Sequence, residues 1–190
     1  MRCLAKPAAM ALFVAACGIP AGVKAQAAGQ GVSAPAAPSQ SNNAAMRTFT
    51  STEGRFSVLL PGDPQQSSQQ IAFKDGGSAT LYQFWVEQEN DNVTYMVMYN
   101  DYPAEYANGP AKDVLAATRD GAIQDKTLTS DTAIDLNGVP GRAFTVYDAD
   151  WNYSIHQFLA GKRLYQLIVV SSKDHPAGQA EEFMNSFRIQ

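Results

Sequence analysis

The chain has few cysteines, few histidines and no excess of basic charge, and each shortage excludes a class of function. Its two cysteines, Cys3 and Cys17, both lie within the first 25 residues. The rest of the chain therefore offers no disulfide, no thiolate nucleophile and no cysteine metal site. The two histidines, His156 and His175, are separated in sequence and have no cysteine near them, so they do not form a zinc-binding pattern.

The first 25 residues have the organisation of a secretory signal peptide. Arg2 and Lys6 give a positive start, an apolar run follows over residues 8–16, and small residues precede a cleavage site after Ala25. The apolar run is too short to span a bilayer. We therefore expect a periplasmic or secreted protein whose mature chain begins at Gln26.

A second interpretation of the same region stays open. Residues 14–17 read Val-Ala-Ala-Cys and resemble the lipobox of bacterial lipoproteins, in which the cysteine is acylated and becomes the new N-terminus. In that case Cys17 would anchor the protein to a membrane.

The charge balance disfavours two classes of partner. Loss of Arg2, Lys6 and Lys24 with the leader leaves 11 basic against 18 acidic residues. Such a chain has no basic surface for nucleic acid or for an anionic membrane. We expect no nucleic-acid partner, and membrane association only through an acylated Cys17.

The segment after the leader predicts a flexible tether. Residues 26–46 are dominated by Ala, Gln, Ser, Gly and Pro, with no charge and no aromatic side chain. Such a composition cannot bury enough apolar surface to offset the entropy of ordering.

Residues 47–190 predict a single α+β domain. Runs rich in β-branched and aromatic residues, bounded by turn residues, predict strands at 48–50, 55–60, 69–73, 79–87, 93–99, 127–136, 143–147, 153–159 and 164–171. Helical spacing predicts one helix after Pro110 and a second after Pro176, with Phe183 and Phe187 on its buried stripe.

Two of the predicted strands are apolar on both sides. Residues 81–86 and 164–169 show this pattern, which indicates a sheet that is covered on both faces. The two helices can cover one face, and long loops or an extra hairpin must cover part of the other. The sequence therefore predicts a mostly antiparallel sheet between covering layers.

The order of these elements resembles the PsbP-like superfamily, which includes bacterial envelope proteins of the DcrB and LpqN types. The matching segments are residues 53–61, 138–142, 158–165 and 183–188, and the resemblance spans residues 47–190. It implies a PsbP-like α/β/α sandwich with two main helices. Its motifs are turns, strand starts and a helix stripe, so it implies a fold and no activity.

Two candidate sites fail on their spacing. Residues 148–152 begin like a calcium loop, but Tyr153 stands where glycine is needed and Leu159 where glutamate is needed. Ser154 and His156 lie two apart on one strand without a nucleophile elbow or an oxyanion element. We therefore expect no metal, no cofactor and no enzymatic activity.

The remaining candidate site combines aromatic rings with acids. It consists of Tyr102, Tyr106, Trp151, Asp101, Asp148 and Asp150. The rings lie next to turns or a helix start, where strand alternation does not force them inward, and exposed rings beside acids suit recognition. Alternatively, the tyrosines close the sheet edge and cover the core.

Three functions follow from these patterns. We expect a non-enzymatic exported domain that binds a protein partner or a small ligand in the bacterial cell envelope. One alternative is a hydrolase whose acids come from Asp101, Glu105, Asp148 or Asp150, which would have to converge. Another is an assembly or secretion accessory that acts through its surface.

Overall fold

The computed structural model describes residues 45–73, 77–88, 92–107 and 109–190. The predicted signal peptide, Cys17 and all but the last two residues of the predicted tether lie outside this part of the chain. No helix in the described ranges combines the length and the apolar character that a bilayer crossing requires.

The described elements are mainly strands, with one short and two longer helices. In chain order they are β1 (Arg47–Ser51), β2 (Phe56–Leu60), β3 (Gln65–Ala72), β4 (Ser78–Gln88), β5 (Val93–Asp101), α1 (Ala104–Ala107), α2 (Ala111–Ile123), β6 (Thr127–Leu136), β7 (Val139–Tyr147), β8 (Trp151–Ala160), β9 (Arg163–Ser172), α3 (Ala180–Ser186) and β10 (Arg188–Ile189).

These strands form two sheets in which each described pair is antiparallel. A large sheet has the order β3-β4-β5-β9-β8-β7-β6, and a small sheet has the order β1-β2-β10. The prediction of a mostly antiparallel α+β fold is therefore confirmed.

The two main helices lie on opposite faces of the large sheet. Leu115 and Ala122 of α2 join the apolar cluster on one face, which we call the α2 face. Phe183 of α3 joins the cluster on the other face, the α3 face, together with Phe56 of the small sheet. The expectation that both helices share a face was wrong, because the apolar stripe of a helix shows which side is buried but not which sheet face it meets.

The central strands of the large sheet are buried on both faces. The sequence predicted this for residues 164–169 of β9, which are all buried, and for residues 81–86 of β4, which are buried except for the half-buried Tyr82. Residues 93–100 of β5 are buried as well. Phe183 and Phe187 are also buried, and the Phe187 ring centroid lies 5.5 Å from that of Tyr165 on β9. The predicted docking of the last helix onto this strand is thus confirmed.

The β6–β7 hairpin is tighter than the sequence suggested. Asn137 and Gly138 both have positive φ, at 53° and 87°, as a two-residue hairpin turn of the primed type requires. Strand β7 therefore begins at Val139, whereas the sequence predicted a connection over residues 137–141 and a strand from Ala143.

Candidate functional site

The structure buries two of the three aromatic residues that the sequence singled out. Tyr102 is 8% exposed and Trp151 is 7% exposed, and both belong to the cluster on the α2 face. The Tyr102 hydroxyl lies 3.2 Å from that of Thr118 on α2. Tyr106 is partly buried, with its ring centroid 4.7 Å from that of Phe73. The expectation of an exposed aromatic surface was therefore wrong, because these rings pack between the large sheet and the helices.

The predicted surface is also divided between two ends of the large sheet. Asp101 pairs with the first residue of β9, whereas Trp151 pairs with the last. Ten extended residues separate these ends by about 30 Å. Asp148 and Asp150 immediately precede Trp151, so they do not converge with Asp101 at one carboxylate site. The side chain of Glu105 lies outside the described part of the chain.

Asp101 forms a structural ion pair. The Arg163 guanidinium donates to both carboxylate oxygens, from Nε at 2.7 Å and from Nη2 at 2.8 Å. These hydrogen bonds hold the pKa of Asp101 below its usual range. Nη1 of Arg163 also donates to the carbonyl of Glu53 at 2.9 Å. The pair therefore ties the β1–β2 turn to the large sheet.

Asp148 organises the β7–β8 turn. Its Oδ1 accepts hydrogen bonds from the backbone N–H groups of Asp150 at 3.1 Å and Trp151 at 2.9 Å. Its Oδ2 accepts the hydroxyl proton of Tyr153 at 2.7 Å. Burial alone would raise the pKa of Asp148, but the bonds from Tyr153, Trp151 and Asp150 outweigh it, and the pKa is lowered. The side chain of Asp150 is exposed.

Replacing Asp148 with alanine should destabilise the domain by about 1–2 kcal/mol near pH 7, because it leaves the Tyr153 hydroxyl and two N–H groups without their acceptor. A group with a lowered folded pKa stabilises the fold above its unfolded pKa, and this contribution disappears as the pH falls through the folded value. The difference from wild type should therefore shrink below about pH 3.8. Chemical denaturation of both proteins at several pH values measures this difference in the free energy of unfolding. Asp150→Ala is the control and should stay within about 0.5 kcal/mol of wild type.

A groove of about 340 Å³ opens on the α3 face, between α3 and strands β6, β7 and β8; we call it the polar groove. Its floor consists of two neighbouring cross-strand rows, Ser130, Thr145 and Ser154 in one and Thr132, Ala143 and His156 in the next. Its wall is formed by Ala180, Glu181, Met184 and Asn185 of α3.

Strand alternation produces this polar floor. Phe144 and Ile155 alternate with the floor residues and are buried in the cluster on the α2 face, so the polar side chains face the groove. The Thr145 hydroxyl lies 2.6 Å from those of Thr129 and Ser130. These contacts orient the hydroxyl groups at one end of the floor.

His156 supplies the one imidazole of the groove. It is half-buried, and burial lowers the pKa of its side chain. The ring is therefore neutral near pH 7, with one nitrogen that donates a hydrogen bond and one that accepts. No described carboxylate contributes to this shift.

Ser154 lies within a fully paired part of the large sheet. Ser154 lies in the middle of β8 and pairs with Thr145 on one side and Val169 on the other. The backbone N–H groups next to Ser154 are hydrogen-bonded to the neighbouring strands of the sheet, so they are not available to stabilise an oxyanion. Among the described residues, no acid orients the imidazole of His156 as a general base requires.

Sequence reasoning missed most of this groove. It considered Ser154 and His156 but not Ser130, Thr132 or Thr145. Hydroxyl residues at alternate positions of the predicted strands were an available signal. Their convergence depends on the pairing of β6 with β7 and on the position of α3.

The described residues contain no group of three or more His, Cys, Asp or Glu side chains arranged to hold a metal ion. The expectation that the protein uses no metal and no cofactor stays a prediction.

Comparison with known proteins gives one informative likeness. The chain is similar to cyanobacterial PsbP (CyanoP) from Synechocystis sp. PCC 6803, with 12% identity, a TM-score of 0.52, and coverage of 84% of this chain and 98% of that chain. A structure from Bacteroides thetaiotaomicron VPI-5482 has 13% identity, a TM-score of 0.41, and coverage of 75% of this chain and 48% of its own. PA94, a protein of unknown function from Pseudomonas aeruginosa, has 9% identity, a TM-score of 0.40, and coverage of 74% and 92%.

No family model and no curated protein matches the sequence. At 12% identity, the likeness to CyanoP concerns the fold alone. The resemblance that residues 47–190 carry is confirmed at this level, and the fold of the chain is PsbP-like.

Proposed function

We propose that this protein is an exported, non-enzymatic domain that binds a ligand or a segment of an envelope partner in the polar groove. The observation that supports this function most strongly is the convergence of hydroxyl groups, a neutral imidazole and an amide around one opening. The leader-like start of the sequence supports export.

The chemistry of the groove favours an uncharged ligand with hydroxyl or amide groups. Ser130, Thr132, Thr145 and Ser154 can each donate and accept hydrogen bonds. Glu181 is the one charged side chain among the lining residues, so a ligand with a single cationic group near α3 is also compatible. A strongly anionic ligand is not, because no Lys or Arg lines the groove.

Binding at this groove can be tested by nuclear magnetic resonance titration of the ¹⁵N-labelled protein. The probes are a panel of neutral oligosaccharides and short uncharged peptides rich in Ser, Thr, Asn and Gly. We expect at least one probe to shift amide signals of residues 130–132, 143–145, 154–156 and 180–185. A panel that shifts signals only elsewhere would contradict the proposed site.

The double variant Thr145→Ala/Ser154→Ala should bind such a probe about tenfold more weakly, because two hydrogen bonds contribute roughly 0.5–1.5 kcal/mol each. Thr48→Ala removes an exposed hydroxyl on β1 that does not line the groove, and it should bind like wild type. Equal affinities for all three proteins would show that the groove hydroxyl groups do not contact the probe.

A further inference from the structure

The two edges of the large sheet differ in how they are protected. An edge strand presents unpaired N–H and C=O groups that another strand can pair with, and charges or bulges normally prevent this. Edge strand β6 has a register shift between Leu128 and Ser130 and carries Asp131 and Asp135. Edge strand β3 has neither form of protection.

Strand β3 is polar but uncharged. Residues 65–70 read Gln-Gln-Ser-Ser-Gln-Gln, and all six are exposed. Its pairing with β4 runs without a register shift over all eight residues. Hydrogen bonds from Ser67 to Gln83 at 3.2 Å and from Gln70 to Thr80 at 2.8 Å hold its side chains against β4. The edge is therefore straight, ordered and without charge.

The β3–β4 hairpin shows which backbone groups face outward. The N–H of Phe73 donates to the directly opposite carbonyl of Gly77 at 2.8 Å, which marks a hydrogen-bonded pair. Such pairs alternate along antiparallel strands, so the odd-numbered residues of β3 bond to β4. The backbone groups of Gln66, Ser68 and Gln70 consequently point away from the sheet.

We propose that β3 pairs antiparallel with β3 of a second copy of this chain, around a twofold axis at Ser68. In this register Ser68 faces Ser68 of the second copy, and Gln66 faces Gln70 of the second copy. Three outward-facing pairs of two hydrogen bonds each join the strands. The large sheet then continues from one copy into the other.

The absence of charge is what favours a second copy as the partner. Twofold pairing places the same strand opposite itself, so any charge near the axis would face a like charge. The uncharged Gln and Ser side chains avoid this repulsion, and Gln amides opposite each other can exchange hydrogen bonds. Because only a few residues pair, the interface is small and the dimer should be weak.

Sedimentation velocity of the full chain over a wide concentration range tests this proposal. We expect wild type to shift from monomer toward dimer as its concentration rises. Ser68→Pro removes an outward N–H in each copy without removing a bond to β4, and it should weaken dimerisation by about tenfold or more. Ala133→Pro, a proline at an outward-facing residue of the opposite edge strand β6 that does not line the polar groove, is the control and should dimerise like wild type.

Charged substitutions at the twofold axis give a second, independent test of self-association. Ser68→Lys and Ser68→Glu should each weaken self-association, whereas an equimolar mixture of the two should recover it as a mixed dimer. Thermal unfolding of each variant verifies that it is folded. The proposal is overturned if wild type stays monomeric up to its solubility limit, if the folded Ser68 variants dimerise like wild type, or if the mixture shows no recovery.

Discussion

Replacing Phe183 with alanine should lower the free energy of unfolding by about 3–5 kcal/mol, the usual cost of truncating a buried phenylalanine. Phe183 is fully buried, and its ring meets that of Tyr95 edge-on at a centroid distance of 5.6 Å. Helix α3 spans seven residues, of which Phe183 and Met184 are buried. Without the ring, the helix loses much of the apolar contact that docks it on the α3 face.

Urea denaturation of the two proteins measures this loss. Glu182→Ala is the matched control, since Glu182 is the exposed neighbour of Phe183 on the same helix, and its effect should stay within about 0.5 kcal/mol. A Phe183→Ala protein that unfolds at the wild-type midpoint would show that α3 is not docked. It would also remove the wall of the polar groove.

Gly141→Val should be among the most damaging single substitutions, with a loss of about 3 kcal/mol, at the upper end for overpacked sites. A Cβ atom at Gly141 would lie 2.5 Å from the ring of Phe158 and 2.6 Å from the carbonyl oxygen of Gln157. The ring can move slightly, but the carbonyl belongs to the paired strand β8. The valine can therefore be accommodated only if β7 and β8 separate.

Gly178→Val is the control for this substitution, because a Cβ there has no heavy atom within 4 Å. Thermal or urea unfolding should place Gly178→Val near wild type and Gly141→Val well below it. Similar midpoints for the two variants would mean that β7 and β8 do not approach each other as closely as described.

The sequence was most informative where local pattern and burial agree. The apolar residues at 81–86 and 164–169 predicted strands covered on both faces, and in β4 and β9 all of these residues except Tyr82 are buried. Local spacing also predicted that Phe183 and Phe187 share the buried side of the last helix. These features depend on side-chain periodicity, which is readable along the chain.

Strand β3 shows where that periodicity fails. The sequence predicted a strand from Gln69, whereas the strand begins at Gln65. Residues 65–68 have no apolar alternation, and they are extended because they pair with residues 82–85 of β4. When pairing with a neighbouring strand, rather than burial of its own side chains, makes a segment extended, its sequence shows little of the pattern that predicts a strand.

The predicted exposed aromatic surface was wrong for a related reason. Tyr102 follows strand β5 and Trp151 follows a turn, and sequence alone does not show that α2 lies above them. The polar groove requires three strands and α3 to meet, although its residues are distant in sequence. Positions of this kind depend on tertiary packing, which no single segment encodes.

The most direct test of the proposed function uses two neighbouring positions on β6. Thr132 lines the polar groove, whereas Ala133 pairs with Arg142 and faces the opposite side of the sheet. A photoreactive benzoylphenylalanine is placed at either position, the protein is irradiated in intact cells, and adducts are detected by mass spectrometry. We predict an adduct from position 132 that is absent from position 133 and that disappears when Ser154→Trp fills the groove. Equal adducts from both positions, or an adduct from position 133 alone, would contradict binding in the polar groove.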